Sequence, residues 1–329
     1  MKGWQGRTDP PGTSDTPRWH QIVRPVTPGA PAGIALLGFA CDEGIRRNGG
    51  RLGAAEGPAA LRTALSNLPV LAEHALYDAG DVQCLDLDME DAQSRFADRL
   101  CGLLDAGHLA IGLGGGHEIA FATYQGLAQH LGLRRPRIAV INLDAHFDLR
   151  VQEQGSSGTP FLQMLQHATA NGLPLNYACL GVSASANTRQ LFATADEHGV
   201  RYLHDDELTT LQLAQRIEAL QHWLASIDTI YLSVCLDVLP HAIAPGVSAP
   251  SARGVPLEVI EPLLDAIAAT GKVVVVDIAE LSPRFDHAGA TARVAARLIH
   301  RITRQASHRL LPGAAGSDST KLPGILDGE

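Results

Sequence analysis

Eight short apolar runs alternate along this chain with eight longer amphipathic segments, and no other feature of the sequence restricts the fold as much. The runs are continuously apolar, which is typical of strands buried on both faces of a parallel sheet. The predicted strands cover 33–39, 75–79, 108–113, 137–143, 176–182, 200–204, 229–236 and 272–278. The predicted helices cover 57–67, 90–106, 118–131, 159–171, 188–198, 208–226, 256–270 and 289–305. The chain is therefore predicted to adopt an α/β fold.

Two α/β architectures are compatible with this alternation: an open, doubly wound parallel sheet and a closed eight-stranded barrel. The pattern alone does not choose between them. In both, functional side chains lie beyond the carboxyl ends of the strands, so the residues after each strand are where a site is expected.

Two segments without hydrophobic periodicity flank this pattern. Residues 1–30 and 308–329 are rich in Pro, Gly, Ser and Thr, so we expect a flexible N-terminal arm and a flexible C-terminal tail. The region 31–307 between them is expected to form a single domain.

Composition excludes several classes of function. The net charge is −9 and the basic residues are scattered, which argues against a nucleic-acid-binding surface. No stretch approaches the roughly 18 apolar residues of a membrane span, and the polar N-terminus lacks the apolar core of a secretory signal. Five widely spaced cysteines do not indicate a disulfide framework. We therefore expect a cytoplasmic protein.

Residues that bind metals follow several predicted strands. Asp144, His146 and Asp148 stand at i, i+2 and i+4 after the strand 137–143, and in an extended segment they project to one face. The pair Cys235 and Asp237 has the same spacing. Carboxylate and imidazole ligands suit hard divalent ions such as Mn²⁺ or Mg²⁺.

His117 follows three glycines in the sequence GLGGGHE, and those glycines allow a tight turn that brings it towards the other candidates. Glu280 follows a further strand. One alternative, a dinucleotide-binding loop, is disfavoured because G-x-G-x-x-G is incomplete here. A second, a polar strand-to-loop turn, does not explain why ligand-type residues occur at four strand ends. The combination favours a metal site.

The motifs GGGHE, NLDAHFD and SVCLDVLPHAIAPG, in this order, resemble the ureohydrolase family, which includes arginase and agmatinase. The upstream segment RRNGGRLGAAEGPAALR is similar to that family as well. The resemblance covers roughly residues 33–305. It implies a three-layer α/β/α sandwich with an eight-stranded parallel sheet, a catalytic domain at 31–307, and a homo-oligomer by analogy.

Within the family, the segments DEGIRRNGGRLGAAEGP, GSSGTPFLQ, CLGVSASANTRQLF and LDVLPHAIAPGVSAPSARG resemble the formimidoylglutamase branch. This resemblance implies hydrolysis of N-formimidoyl-L-glutamate, a small dicarboxylate of histidine degradation, to L-glutamate and formamide. It also implies a pair of Mn²⁺ ions that activate a water molecule for attack on the amidine carbon.

The family pattern also implies the role of each site residue. One metal would be held by His117, Asp144, Asp148 and Cys235. The other would be held by His146, Asp144, Cys235 and Asp237. Asp144 and Glu280 are the expected catalytic residues, with Glu280 holding the cationic C–N group. For the substrate carboxylates, arginine is the natural partner. Asn187 and Arg189 are the preferred pair, and Arg46, Arg47 and Ser157 are further candidates.

Two positions depart from the better-known ureohydrolases. Cys235 stands where the family has a bridging Asp, so the resemblance leaves the second metal site undecided. Four alternatives are open: the thiol is a metal ligand, one of the two metals binds weakly, a different metal binds, or Cys235 is a buried spectator. Ser157 stands where arginases have a proton-shuttling His, and a hydroxyl is a poor general acid near neutral pH. Ser157 matches the formimidoyl branch and argues against arginase or agmatinase activity.

Two further hypotheses stay open at this point. In the first, the chain hydrolyses another guanidino or amidino compound. In the second, it is a metal-poor homologue without catalytic activity. Release of formamide rather than urea, together with the metal content, separates these from the leading hypothesis.

Overall fold

Nine parallel strands form one sheet in the computed structural model, which describes residues 3–10, 17–71 and 74–305. The strands are β1 (Arg24–Pro25), β2 (Gly33–Ala40), β3 (Ala75–Gln83), β4 (Leu109–Leu113), β5 (Ile138–Leu143), β6 (Leu175–Val182), β7 (Arg201–His204), β8 (Thr229–Cys235) and β9 (Val273–Ala279). Their order across the sheet is β1-β3-β2-β4-β9-β8-β5-β6-β7, and every pair is parallel.

Ten α-helices occur in these described residues: α1 (Trp19–Ile22), α2 (Glu43–Arg47), α3 (Gly57–Ser66), α4 (Met89–Asp105), α5 (Ile119–Leu131), α6 (Pro160–Ala170), α7 (Arg189–Glu197), α8 (Leu213–Ala225), α9 (Leu257–Ala268) and α10 (Ala290–Gln305). Short 3₁₀ turns cover Ala54–Glu56, Leu236–Val238, Pro283–Phe285 and His287–Gly289. The eight predicted helices are α3 to α10.

The two faces of the sheet bury separate hydrophobic cores. Helices α3, α8, α9 and α10 cover one face, and α4, α5, α6 and α7 cover the other. The strand β8 shows why helices are needed on both faces of the sheet. Its residues Ile230, Leu232 and Val234 enter the first core, whereas Tyr231 enters the second. This arrangement confirms the predicted three-layer α/β/α sandwich and excludes the closed barrel.

The sheet has one strand more than the eight that were predicted. The additional strand, β1, contains only Arg24 and Pro25, and both residues are exposed. A charged residue followed by a proline forms no apolar run in the sequence, so hydrophobic patterning does not reveal such a strand.

The described part of the predicted N-terminal arm packs against the domain. Trp4 and Trp19 are buried and their rings stack 6.3 Å apart. The Trp4 Nε1 donates a 2.7 Å hydrogen bond to Asp78 on β3. The predicted C-terminal tail at 308–329 lies outside the described residues.

The sheet topology brings the candidate site together. Strands β4, β9, β8 and β5 are consecutive neighbours at the centre of the sheet. Their carboxyl ends lead into His117, Glu280, Cys235 and Asp144 respectively. Residues that are more than a hundred positions apart in the chain therefore meet at one edge of the sheet.

Candidate metal centre

A cavity of about 220 Å³ lies at the carboxyl ends of these four central strands. It is lined by most of the predicted ligands together with several loop residues: Asn48, Gly50, His117, His146, Asp148, Arg150, Ser157, Ala186, Asn187, Leu191, Cys235, Asp237, Ser248, Ala249 and Glu280. Asp144 is fully buried beneath it. The structure thus brings together every residue predicted to bind metal.

The ligand atoms form two groups, and Asp144 belongs to both. One group is His117, Asp144 and Cys235, and the other is Asp144, His146 and Asp237. Within each group, one ligand atom per residue lies within 4.8 Å of the others. A carboxylate shared by two adjacent groups is the arrangement that a two-metal site needs.

Two buried atoms in this cluster lack hydrogen bonds. The Nδ1 of His117 lies 3.0 Å from an oxygen of Asp144 and 2.9 Å from an oxygen of Asp148, but it makes no hydrogen bond of acceptable geometry. The Oδ1 of Asp237 is also buried without a partner. Buried polar atoms are normally satisfied. Imidazole and carboxylate groups that converge without hydrogen bonding one another are suited to bind a divalent metal ion. The residues present therefore fit such an ion.

The cluster concentrates negative charge in a buried place. Burial, followed by the charge of Asp144, raises the pKa of Asp148 and of Asp237. Burial also acts on Asp144, but the nearby imidazoles of His117 and His146 outweigh it and lower the pKa of that carboxyl. Buried carboxylates of this kind are paired with cations or coordinate metals.

Backbone strain also occurs at the cluster. Asp148 and Glu280 adopt left-handed conformations, with φ of 51° and 73°. Such conformations are uncommon for residues with a side chain and tend to persist at functional sites. The glycine turn before His117 is equally constrained, since a Cβ on Gly115 would lie 1.8 Å from the carbonyl oxygen of Cys41.

Glu280 faces the cavity from the end of β9. Its Oε1 accepts a 2.8 Å hydrogen bond from the backbone N–H of His117, which fixes the carboxylate next to the metal-type ligands. Burial, followed by the charges of Asp237 and Glu118, raises the pKa of Glu280 well above its usual range. A cationic group in the cavity would favour its charged form.

Cys235 lies inside the cluster rather than beside it. Its side chain lines the cavity, and its Sγ groups with ligand atoms of His117 and Asp144. The residue is 1% exposed, and burial raises the pKa of its thiol. The thiol therefore stands where a metal ligand is expected.

Asn187 lines the cavity, but its amide is engaged with backbone groups. The Nδ2 donates 2.9 Å hydrogen bonds to the carbonyl oxygens of Ala145 and Ser183, and the Oδ1 accepts one of 3.1 Å from the N–H of Phe147. Both Nδ2 protons are thus used. Asn187 braces the loop that carries His146, which is a different role from the predicted contact with substrate.

The arginines predicted to bind substrate do not line the cavity. Arg46 and Arg47 lie on α2 and form ion pairs with Glu43, and Arg47 also pairs with Glu90. Arg189 is exposed at the first position of α7. These guanidinium groups are either neutralised by nearby carboxylates or turned to solvent, so the geometry does not support their predicted role.

Arg150 lines the cavity and was missed from the sequence. Within the part of the chain that the structure describes, its guanidinium makes no ion pair or hydrogen bond. The side chain passes over Gly158, where a Cβ would come within 2.7 Å of the Arg150 Cδ. Arg150 follows Asp148 at the same spacing of two that links the metal-type residues, and this signal was available in the sequence.

Asn48 is a second cavity residue that the sequence did not reveal. Its Nδ2 donates a 3.2 Å hydrogen bond to the Oγ of Ser157. This contact joins the loop after α2 to the loop before α6, and Ser157 lines the cavity as well.

A larger cavity, of about 1000 Å³, lies beside β3 and the N-terminal segment. Arg62, one of its charged lining residues, is already bonded to Asp78 and Asp81, which line the same cavity. This cavity has no converging metal-type ligands among the residues described, so size alone does not mark the functional site.

Comparison with known proteins supports the geometry. A model described as the arginase family matches residues 32–304. The chain is 53% identical over 304 residues to a formimidoylglutamase of Ralstonia nicotianae, covering 91% of this chain and 94% of that protein. It is 49% identical over 307 residues to a formimidoylglutamase of Aeromonas salmonicida, covering 92% and 98%.

Solved structures show the same fold. The crystal structure of formimidoylglutamase from Bacillus subtilis has a TM-score of 0.80 at 24% identity, covering 93% of this chain and 95% of that one. The structure of Trypanosoma cruzi formiminoglutamase with Mn²⁺₂ has a TM-score of 0.78 at 25% identity, covering 90% and 100%.

Proposed function

This chain belongs to the arginase family, and we propose that it hydrolyses N-formimidoyl-L-glutamate to L-glutamate and formamide. The observation that carries the proposal is the pair of ligand groups that share Asp144 at the ends of four central strands. Relatives that are 53% and 49% identical over more than nine-tenths of the chain are formimidoylglutamases, which supports this substrate over arginine or agmatine.

We assign two Mn²⁺ ions to the cluster, as in the T. cruzi relative. His117, Asp144, Asp148 and Cys235 would hold one ion, and Asp144, His146 and Asp237 the other. When bound, the pair would supply Lewis acidity that lowers the pKa of a water molecule and orients it for attack. Asp144 is assigned as catalytic because its carboxylate belongs to both groups.

Glu280 is assigned to the reacting group of the substrate. An amidinium is planar and cationic, and a buried carboxylate that is fixed by the His117 N–H can hold its N–H donors in one orientation. Because Asp237 and Glu280 line the same small cavity, the amidine carbon would sit beside the ligand cluster while its charge is neutralised.

The carboxylates of the substrate need a cationic partner on the other side of the cavity. Arg150 has a guanidinium without a protein partner among the described residues, and it lines the cavity beside Ser157 and Asn48. We assign Arg150 to one carboxylate, with Asn48 and Ser157 as additional hydrogen-bond donors. This assignment replaces the predicted roles of Arg46, Arg47 and Arg189.

Two predictions about the protein in the cell stay predictions: the cytoplasmic location and the homo-oligomeric state. Within the described residues, no helix combines the length and the apolar character that a membrane span requires.

The proposal is tested by product analysis of the purified protein reconstituted with Mn²⁺. We expect formamide and glutamate from N-formimidoyl-L-glutamate, and no urea from arginine or agmatine. Urea release from either compound, without formamide release, would show that the chain hydrolyses a different member of this substrate class.

A further inference from the structure

A buried chain of hydrogen bonds lies behind His117, on the side away from the cavity. The Nε2 of His117 is 2.9 Å from the Oγ of Ser233, and that hydroxyl donates a 2.7 Å hydrogen bond to Oδ1 of Asp277. The hydroxyl of Tyr231 donates a 2.5 Å hydrogen bond to Oδ2 of Asp277. All four side chains are fully or almost fully buried.

The sheet makes this chain of contacts possible. Tyr231 and Ser233 point to the same face of β8, because they are two residues apart. Asp277 is the register partner of Ser233 on the adjacent strand β9, and β9 also pairs with β4, which leads into His117. Two neighbouring strands therefore supply Tyr231, Ser233 and Asp277, and the turn after β4 brings His117 to them.

The direction of each hydrogen bond follows from the number of protons. A carboxylate oxygen only accepts, so the Ser233 hydroxyl spends its single proton on Asp277. Ser233 is then left with lone pairs towards His117, and it accepts a proton from Nε2–H. The other ring nitrogen, Nδ1, is the atom that lies 3.0 Å and 2.9 Å from the carboxylates of Asp144 and Asp148.

The opposite arrangement conflicts with metal binding. If Ser233 donated to Nε2, the proton of the neutral ring would have to stand on Nδ1, which points into the ligand cluster. Oδ1 of Asp277 would also lose a donor in a fully buried place, which is costly. Histidine ligands of metals generally have the second ring nitrogen fixed by a partner of this kind.

We propose that Ser233, with its proton committed to Asp277, is a positioning residue that keeps a proton on Nε2 of His117 and so leaves Nδ1 to a divalent metal ion. The inference relies on the proposed function only in treating the cluster as a metal centre. It holds for any substrate of that centre.

The test compares Ser233→Thr with Ser233→Val, which have nearly the same volume and differ in the hydroxyl. Any strain from the added carbon atoms is common to both. We expect Ser233→Val to weaken binding of the Mn²⁺ ion held by the His117 group by about 10- to 100-fold relative to Ser233→Thr. The measurement is a titration of metal-free protein with Mn²⁺ alone, following the free ion by electron paramagnetic resonance. Equal Mn²⁺ affinity of the two variants would overturn the proposal.

A second pair of variants covers the case in which the larger residues prevent folding. Ser233→Ala removes only the hydroxyl oxygen, and Ser66→Ala does the same at another fully buried serine, whose Oγ bonds to Arg62 and Gly3 carbonyl oxygens. We expect weaker Mn²⁺ binding in Ser233→Ala alone, although both variants lose stability. If Ser66→Ala weakens Mn²⁺ binding equally, the effect is structural and the proposal is wrong.

Asp277→Leu tests the hydrogen bond between Ser233 and Asp277. Without the carboxylate, the Ser233 proton is free to turn to Nε2, so we expect Mn²⁺ affinity to fall in the same direction as in Ser233→Val. Unchanged Mn²⁺ affinity in Asp277→Leu would contradict the role of Asp277. Failure of the substrate proposal is distinguishable, because it would appear as absent formamide release with the Mn²⁺ affinities ordered as expected.

Discussion

At the scale of single residues, Cys235 is the one thiol in a ligand cluster otherwise made of histidines and aspartates, among the residues that the structure describes. A thiol offers one soft donor atom, whereas the expected aspartate offers two hard oxygens that can bridge two ions. The structure places the Sγ with His117 and Asp144, and the second ligand group contains Asp144, His146 and Asp237 without it. The two metal positions are therefore expected to differ in affinity.

Replacing Cys235 with aspartate tests this difference. Cys235→Asp should tighten the weaker Mn²⁺ ion by about tenfold or more, because a bridging carboxylate replaces a single sulfur; that is about 1.4 kcal/mol. Cys235→Ser is the matched control, since it keeps the size of the side chain without a charge. The measurement is Mn²⁺ stoichiometry and affinity by titration. Identical binding by wild type, Cys235→Ser and Cys235→Asp would show that Cys235 is a spectator.

Arg150 gives the second prediction at this scale. Arg150→Met should raise KM for N-formimidoyl-L-glutamate by about 10- to 100-fold with a much smaller change in kcat, because a charged hydrogen bond to substrate is worth about 1.5–3 kcal/mol and holds a group remote from the reacting carbon. Arg46→Met is the control, since Arg46 is half exposed and paired with Glu43. Steady-state kinetics of formamide release checks both, and a larger KM effect in Arg46→Met would contradict the assignment.

These arginines also show what the sequence could and could not predict about the site. The metal-type residues were predictable because they follow strands and because five of the six stand two positions from another one. Glu43 stands three and four residues before Arg46 and Arg47, so their ion pairs were foreseeable once a helix was recognised there. The Arg150 guanidinium, which has no partner among the described residues, was not foreseeable, because the absence of a partner depends on how the segments fold together.

At the scale of elements, the turn between β4 and α5 is the most constrained part of the site. It must carry His117 back over the sheet, and Gly116 N donates to the carbonyl oxygen of Cys41 while Glu280 N donates to that of Gly115. These bonds join the loops after β2, β4 and β9. The close approach of Gly115 to Cys41 is possible only without a Cβ.

A methyl group at this turn should therefore disturb the metal centre. Gly115→Ala is expected to cost about 3 kcal/mol or more of unfolding free energy, at the upper end of overpacking effects, and to weaken Mn²⁺ binding. Gly102→Ala, in the last turn of α4, adds a carbon that meets nothing within 4 Å outside its own helix backbone and chain neighbours, so it should instead be neutral or slightly stabilising. Urea unfolding and Mn²⁺ titration check both. Equal behaviour of the two variants would contradict the role of the turn.

The elements that the sequence did not predict are the shortest ones. The helix α2 has five residues, EGIRR, which is too few to show a helical hydrophobic repeat. The strand β1 has two exposed residues and is recognised only by its pairing with β3. In contrast, β2 and β8 each bury seven consecutive residues, and the continuous apolar runs in their sequences predicted them as strands.

At the scale of the whole molecule, a buried ion pair joins the N-terminal segment to the domain. Arg62 on α3 donates two 2.9 Å hydrogen bonds to the carboxylate of Asp78 on β3, and the indole of Trp4 donates to the same carboxylate. Arg62 also bonds Asp81. The Arg62 guanidinium thus connects α3, β3 and, through Asp78, the N-terminal segment. It lies far from the metal centre in the sheet order.

Removing that guanidinium should destabilise the fold in a pH-dependent way. Arg62→Met leaves Asp78 buried without its cation, which costs about 3–5 kcal/mol at neutral pH. In the wild type, burial raises the pKa of Asp78, but the hydrogen bonds and charge of Arg62 lower it overall, so its stabilisation is present above the unfolded pKa of about 3.9 and is lost as the pH falls through the folded value.

In Arg62→Met the sign reverses, because burial, the largest influence, then outweighs the remaining hydrogen bonds from Trp4 and Gly80 and raises the pKa of Asp78. The loss of stability relative to wild type should therefore be larger at pH 7.5 than at pH 5. Urea unfolding of metal-free protein measures it. Arg297→Met is the control, because the Arg297 guanidinium is exposed and Glu261 keeps its ion pair with Arg301. It should cost about 1 kcal/mol or less at both pH values. A pH-independent loss in Arg62→Met would contradict the argument.

The central claim, that this cluster is the metal centre of an amidine hydrolase, is tested most directly by measuring formamide release from N-formimidoyl-L-glutamate as Mn²⁺ is added stepwise to metal-free protein. The structure predicts no release without metal, and a rate that rises with bound Mn²⁺ and reaches its maximum at two ions per chain. Full activity after removal of the metal, or no formamide at any Mn²⁺ loading, would contradict it.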